Sequence, residues 1–163
     1  MLPIARNTAL RAVRSHSRVP FLQRLASTLA ILEQKGGDLN TASLGAVLAA
    51  QKVGGSVHGF VAGKNVKSVA EVAAKVNGME KVIMVENEAY ERGLPENYAP
   101  LLVENIKKGG YTHVIVGHSS FGKALLPRVA ALLDVQQLTD VMSIESEDSK
   151  HAPWLSTIQA DNA

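Results

Sequence analysis

Four short, largely apolar runs, each followed by a stretch with helical periodicity, decide most of what this chain can fold into. They are Thr28-Leu29-Ala30-Ile31-Leu32, Val57-His58-Gly59-Phe60-Val61-Ala62, Lys81-Val82-Ile83-Met84-Val85 and Thr112-His113-Val114-Ile115-Val116. None alternates polar and apolar residues over its length, so each is expected to be buried on both faces, as strands of a parallel sheet are. A fifth candidate is Leu138 to Ile144. Between them, Asn40 or Thr41 can cap a helix carrying Leu44, Val47, Leu48 and Gln51 on one face, stopped by Gly54-Gly55. Val66 to Val76, with Val69, Val72, Ala73 and Val76 on one face, is a second helix closed by Asn77-Gly78. Glu86 to Asn97 reads as a polar connection. A third helix is expected from Tyr98 to Lys108, with Pro100 in its first turn and Gly109-Gly110 after it, and a fourth from Gly122 to Leu133. Strands alternating with helices in this way predict an α/β fold, a parallel sheet with helices on both faces and right-handed crossovers. Ligands of such sheets bind at the carboxyl ends of the strands. Here those ends are Glu33–Asp38, Ala62–Asn65, Glu86–Ala89 and Gly117–Gly122.

Charge separates the first 26 residues from the rest. The chain of 163 residues carries a net charge of +2, yet residues 1–26 hold Arg6, Arg11, Arg14, Arg18 and Arg24 and no acid. What remains is net acidic, so a nucleic-acid-binding reading loses its support. An aromatic content of 4% also gives little surface for stacking single-stranded bases. The arginines of the first segment are interleaved with Leu2, Ile4, Leu10, Val13 and Leu22. An acid-free, arginine-rich amphipathic start predicts a mitochondrial transit peptide, removed between Arg24 and Ser27. The other readings of such a segment are a basic tail or a helix lying on a membrane surface. No apolar run reaches the length of a membrane span. The chain has no cysteine, which excludes disulfides and thiolate-held metals or clusters.

The loop Gly117-His118-Ser119-Ser120-Phe121-Gly122-Lys123 begins two chemistries and completes neither. A nucleophile elbow needs Gly-x-Ser-x-Gly, but Phe121 stands where the second glycine belongs. Asp134, Asp140 and His151 make no convincing partners for a serine nucleophile. A phosphate loop would match at Gly117, Gly122 and Lys123, but Ala124 replaces the hydroxyl that binds magnesium, and the loop follows the fourth strand. Glu86 after Val82–Val85 imitates an acidic strand end only loosely. Lys123 and Arg128 read as a solvated or partner-facing pair. The histidines at 16, 58, 113, 118 and 151 show no ligand spacing. Glu145 and Glu147 decorate an exposed segment, and Lys107-Lys108 suits a helix carboxyl end. Phe121, Met84 and Tyr111 are packing residues. The residues thus name no catalytic, cofactor-binding or metal site.

From Tyr111 to Val141 the sequence YTHVIVGHSSFGKALLPRVAALLDVQQLTDV resembles the amino-terminal domain of electron transfer flavoprotein alpha subunits. The features that carry the likeness are Tyr111-Thr112-His113, Ser119-Ser120, Phe121-Gly122-Lys123, Leu125-Leu126-Pro127-Arg128, Val129-Ala130-Ala131 and Asp140. Earlier stretches, STLAILE, VGGSVHGFVAG, VAEVAAKVNGMEKVIMVE and LPENYAPLL, agree with it. The resemblance implies a Rossmann-like sheet of the adenine nucleotide alpha hydrolase type over residues 27–148. It implies a heterodimer with a beta subunit in the mitochondrial matrix, holding one FAD. Such carriers take electrons from acyl-CoA dehydrogenases of fatty acid β-oxidation and from other dehydrogenases, and pass them to a membrane quinone oxidoreductase. They are carriers, not enzymes in their own right.

The family's carboxy-terminal domain, which supplies most FAD contacts, has no counterpart here, so no flavin contact is carried onto any residue and this chain alone is expected not to bind FAD. Residues 149–163, SKHAPWLSTIQADNA, stand as an atypical tail. With strands missing after Ile144, an exposed sheet edge is expected. Two other classes share the architecture: a stand-alone adenine-nucleotide-binding module and a structural interaction domain without flavin.

Overall fold

The computed structural model describes residues 26–144 and the strand at 154–158. Six strands form one sheet: β1 (Ser27–Ile31), β4 (Ser56–Gly63), β5 (Lys81–Glu86), β6 (His113–Gly117), β7 (Gln137–Val141) and β8 (Trp154–Ile158). Their order is β5-β4-β1-β6-β8-β7, and every neighbouring pair is parallel. A separate two-stranded hairpin, β2 (Gln34–Lys35) and β3 (Asp38–Leu39), turns at Gly36-Gly37 just beyond the end of β1. The helices are α1 (Thr41–Val53), α2 (Lys67–Ala73), α3 (Pro95–Gly109) and α4 (Ser120–Leu133), with a 3₁₀ turn at Glu88–Tyr90.

Side chains of β1 alternate between two cores, which is why its residues are apolar without a break. Leu29 and Ile31 join Phe60, Leu102, Leu125 and Val129 under α3 and α4, while Ala30 joins Val47, Val53, Val61 and Val69 under α1 and α2. The chain winds from β1 outward through β4 to β5, then α3 carries it back across the sheet to β6 on the other side of β1. The winding direction therefore reverses between β1 and β6, and a crevice opens there at the carboxyl ends.

The helical faces differ from the sequence expectation. Helix α1 buries Ser43, Ala46, Val47, Ala49, Ala50 and Val53 and leaves Leu44 and Leu48 exposed. Small residues win the inner face because the helix approaches the sheet so closely that a Cβ on Gly117 would lie 2.6 Å from the Ala42 carbonyl. Val72 likewise faces solvent on α2, which ends at Ala73 rather than Val76. The chain tightens there into i−3 bonds, Lys75 N–H to the Val72 carbonyl and Val76 N–H to the Ala73 carbonyl. Helix α3 begins at Pro95, three residues before the expected start. Pro95 takes the first turn, where its missing N–H costs nothing, and Pro100 lies inside the helix. The expected open edge beside β6 is absent: the backbone of β8 fills it, so the segment set apart as a tail contributes an inner strand.

Candidate functional site

The crevice at the reversal is bordered by what leaves β1, β5 and β6. Leu32 to Gly36, Tyr90 to Gly93, Tyr98 and Phe121 line a half-open cleft of about 280 Å³. Its aromatic wall is a chain of edge-to-face contacts, Tyr90 to Tyr98 at 5.3 Å and Tyr98 to Phe121 at 5.1 Å between ring centroids. The Tyr98 hydroxyl donates to the Ala62 carbonyl at the end of β4. Burial, with help from Tyr90 and Glu33, pushes its phenol up to about 12. Tyr98 is thus a neutral, fixed part of the wall at any ordinary pH. Ser43 fixes the first loop, its Oγ accepting from Glu33 N–H at 2.8 Å.

The Gly117–Lys123 loop lies beside this cleft, and its side chains are committed to structure. Ser119 caps α4, accepting from Gly122 N–H at 3.0 Å. Gly122 is required because a Cβ there would meet the Gly117 carbonyl at 2.4 Å. The glycine spacing that imitates a phosphate loop is therefore a packing condition between β6 and α4. Lys123 and Arg128 are both exposed, and Arg128 reaches Glu96 of α3 at 2.7 Å.

The structure brings together one pair that the sequence reading treats as unrelated: His118 Nε2 lies 3.0 Å from Asp140 Oδ1. Asp140 reaches it from a left-handed backbone, φ 55°, where the register of β7 against β8 shifts. His118 Nδ1 is buried with no hydrogen-bond partner among the described residues, so no serine is engaged and no triad forms. No spacing rule would have found the pair, because it depends on that irregularity.

At the opposite end of the sheet, His58 accepts or donates at 2.7 Å with the Tyr111 hydroxyl through Nδ1, and its Nε2 lies 3.6 Å from Glu80. Burial, with Lys81 nearby, holds this imidazole below its ordinary range against the opposing pull of Glu80. The described residues contain no cluster of metal-ligating side chains and no helix long and apolar enough to cross a membrane.

Comparison with known proteins adds what geometry leaves open. Residues 28–163 match the electron transfer flavoprotein domain. The chain is 46% identical over 124 residues to a probable mitochondrial electron transfer flavoprotein subunit alpha of Schizosaccharomyces pombe, covering 76% of this chain and 36% of that one. It is 46% identical over 135 residues to electron transfer flavoprotein subunit alpha of Pseudomonas aeruginosa, covering 83% and 42%. Against the probable mitochondrial subunit alpha of Caenorhabditis elegans it is 39% identical over 140 residues, covering 86% and 41%. The chain thus spans about two fifths of the length of these relatives. With the doubly wound sheet and the family match running from β1 through β8, the chain belongs to the electron transfer flavoprotein family and is related to its alpha subunits.

Proposed function

We propose that this chain is the amino-terminal, scaffolding part of a mitochondrial-matrix electron carrier of the alpha-subunit type. In that role it packs against a beta subunit, and the assembled carrier moves electrons from acyl-CoA and other dehydrogenases to a quinone oxidoreductase. The observation that carries the reading is the family match over residues 28–163, together with 46% identity to two alpha subunits over 124 and 135 residues. The arginine-rich residues 1–26, of which 1–25 lie outside the described structure, act as the import signal in this proposal.

Family membership implies a flavin, and the residues of the cleft do not fit it. A volume of about 280 Å³ sits at the lower limit of small-molecule sites, too little to enclose a flavin dinucleotide. Gly117 and Gly122, whose spacing imitates a phosphate loop, have their open side filled by protein instead. We therefore assign flavin binding to the part of the relatives that lies outside the match.

Co-expression with a beta subunit of the family tests the proposal. The chain is expected to co-purify with it while remaining colourless, both alone and in the pair. Flavin absorbance at one equivalent from this chain alone would overturn the scaffolding role. Failure to associate with any beta subunit would overturn the partnership.

A further inference from the structure

Among the described residues, Asn77 is the one asparagine followed by glycine. The other asparagines there are held or shielded. Asn40 and Asn87 commit their side-chain oxygens to the N–H groups of Ala42 and Ala89, and Asn97 and Asn105 donate to the carbonyls of Ala89 and Leu101. Asn65 precedes Val66, which is buried and β-branched. Asn77 and Gly78 are both exposed. The Asn77 side-chain amide makes no hydrogen bond among the described residues, and the Gly78 N–H has no acceptor there. The pair forms the centre of the turn between α2 and β5, closed only by Met79 N–H on the Val76 carbonyl at 3.4 Å. Gly78 stands at φ 82° and Asn77 does not take a positive φ, which defines a type II turn. One contact restrains the pair from outside: the side-chain amide of Gln51, in the last turn of α1, donates to the Asn77 carbonyl.

We propose that Asn77 is a self-modification site, converted to isoaspartate through attack by the Gly78 nitrogen, and that the hydrogen bond from Gln51 restrains the reaction. The Gly78 amide loses its proton to solvent, and its nitrogen attacks Asn77 Cγ. The N–Cγ bond forms, the Cγ–Nδ2 bond breaks, and Nδ2 leaves as ammonia, taking up a proton from solvent. Water then opens the cyclic imide, giving isoaspartate when it adds at the main-chain carbonyl and aspartate when it adds at Cγ. Water is consumed, ammonia is released, and nothing is oxidised or reduced. Glycine matters twice. It leaves its own nitrogen unshielded, and its backbone freedom lets the peptide plane rotate until that nitrogen faces Cγ. In a type II turn the nitrogen starts out facing away from the Asn77 side chain, so the rotation is required. The Asn77 carbonyl belongs to the same plane, and the bond from Gln51 must break before the plane can turn. Isoaspartate adds a carbon to the main chain just before the edge strand β5, whose entry is fixed by Glu80 N–H on the Val57 carbonyl at 2.9 Å. The site does not depend on the electron-carrier reading.

Ageing the 163-residue chain at physiological temperature and neutral pH, followed by peptide mass spectrometry, tests the site. The peptide containing residue 77 is expected to gain about 1 Da. It is also expected to accept a methyl group from labelled S-adenosylmethionine when a protein-isoaspartate methyltransferase is added as the probe. Asn40, Asn65, Asn87, Asn97 and Asn105 should remain amides over the same period. Gln51→Leu removes the donor and keeps side-chain bulk against Gly78. It is expected to speed conversion about two- to tenfold, the range one ordinary hydrogen bond supplies. An unaltered melting temperature verifies that this variant is folded, and the reading on the unmodified chain needs no variant. An Asn77 that stays an amide, conversion no faster than at Asn65, or a Gln51→Leu rate equal to that of the unmodified chain would each overturn the proposal. Flavin content and beta-subunit binding are no part of the readout, so failure here and failure of the carrier reading remain distinct.

Discussion

Gly122 carries the tightest steric condition beside the cleft. An alanine methyl there would sit 2.4 Å from the Gly117 carbonyl and 3.1 Å from Val116 Cγ1, so strand and helix would have to separate. Gly122→Ala is expected to destabilise the chain by about 1–3 kcal/mol, the range for overpacking, read as a lower urea midpoint at unchanged slope. An unchanged midpoint would contradict the packing account of the glycine spacing. The spacing itself was visible in the sequence; its cause was not, since Gly117 meets Ala42, which belongs to another crossover. His58 gives the second residue-scale prediction. Its folded pKa lies below the ordinary 6.5 through burial and Lys81. The unfolded chain therefore takes up the proton first as pH falls, so stability drops below pH 6.5 and levels off once the folded pKa is passed. Above that window His58 contributes no slope. Urea unfolding across this range, with His58→Gln as the flattened control, checks the sign, and a ring titration midpoint above 6.5 by NMR would refute it.

Among the elements, helix α4 depends on its cap. Ser119 satisfies the Gly122 N–H at the start of a 14-residue helix, and Ser119→Ala is expected to cost about 1 kcal/mol, measured as a fall in thermal midpoint. Ser120→Ala, which removes no cap, should cost less, and equal losses would argue against the assignment. Helix stops were legible because glycine marks them: Gly54 and Gly110 stand where α1 and α3 end. Starts were harder. The signal for α3 was present in Pro95 followed by Glu96, a proline in the first turn with an acid at the positive end of the dipole. The polar composition from Glu86 to Asn97 hid it. The β2–β3 hairpin was similarly written in Gly36-Gly37, both at positive φ, but its strands are too short to show a period.

Over the whole molecule, strand existence and the parallel winding followed from apolar continuity in β1, β4 and β6, which carry the two cores. Residues 138–144 carried that signal weakly, enough to mark a fifth strand candidate, and residues 149–163 lacked it. The strand β7 is mostly exposed, with Leu138 at 37% and Met142 just beyond it at 65%, so its sequence need not be apolar. The strand β8 contains Ser156 and Thr157 in a segment that composition alone sets apart. Its topology makes it indispensable: β8 pairs with β6 on one side and β7 on the other. Deleting residues 149–163 is expected to strand β7, expose the edge of β6 and abolish cooperative unfolding, as followed by circular dichroism. A truncated chain melting as sharply as the original would show that β8 is dispensable. The cleft was legible as a location, from the strand ends, but not as a set of partners. Glu33 and Lys35, Arg92 and Phe121 come from three separate segments of the chain, and nothing in their order announces that they meet.

The position of β1 has a mechanical corollary. It is the first strand among the described residues and lies between β4 and β6, bonded to both, with Ser27 N–H donating to Thr112 Oγ1 and the Ser27 carbonyl accepting from Thr112 N–H. Tension applied through the amino terminus does not peel an edge away one bond at a time. It loads two parallel ladders along their length, so their bonds resist together and must fail together. A chain drawn amino end first through a narrow passage would meet this resistance at β1, and once β1 yielded, the two halves of the sheet would share no strand-to-strand bond and be held only through the helices packed across them.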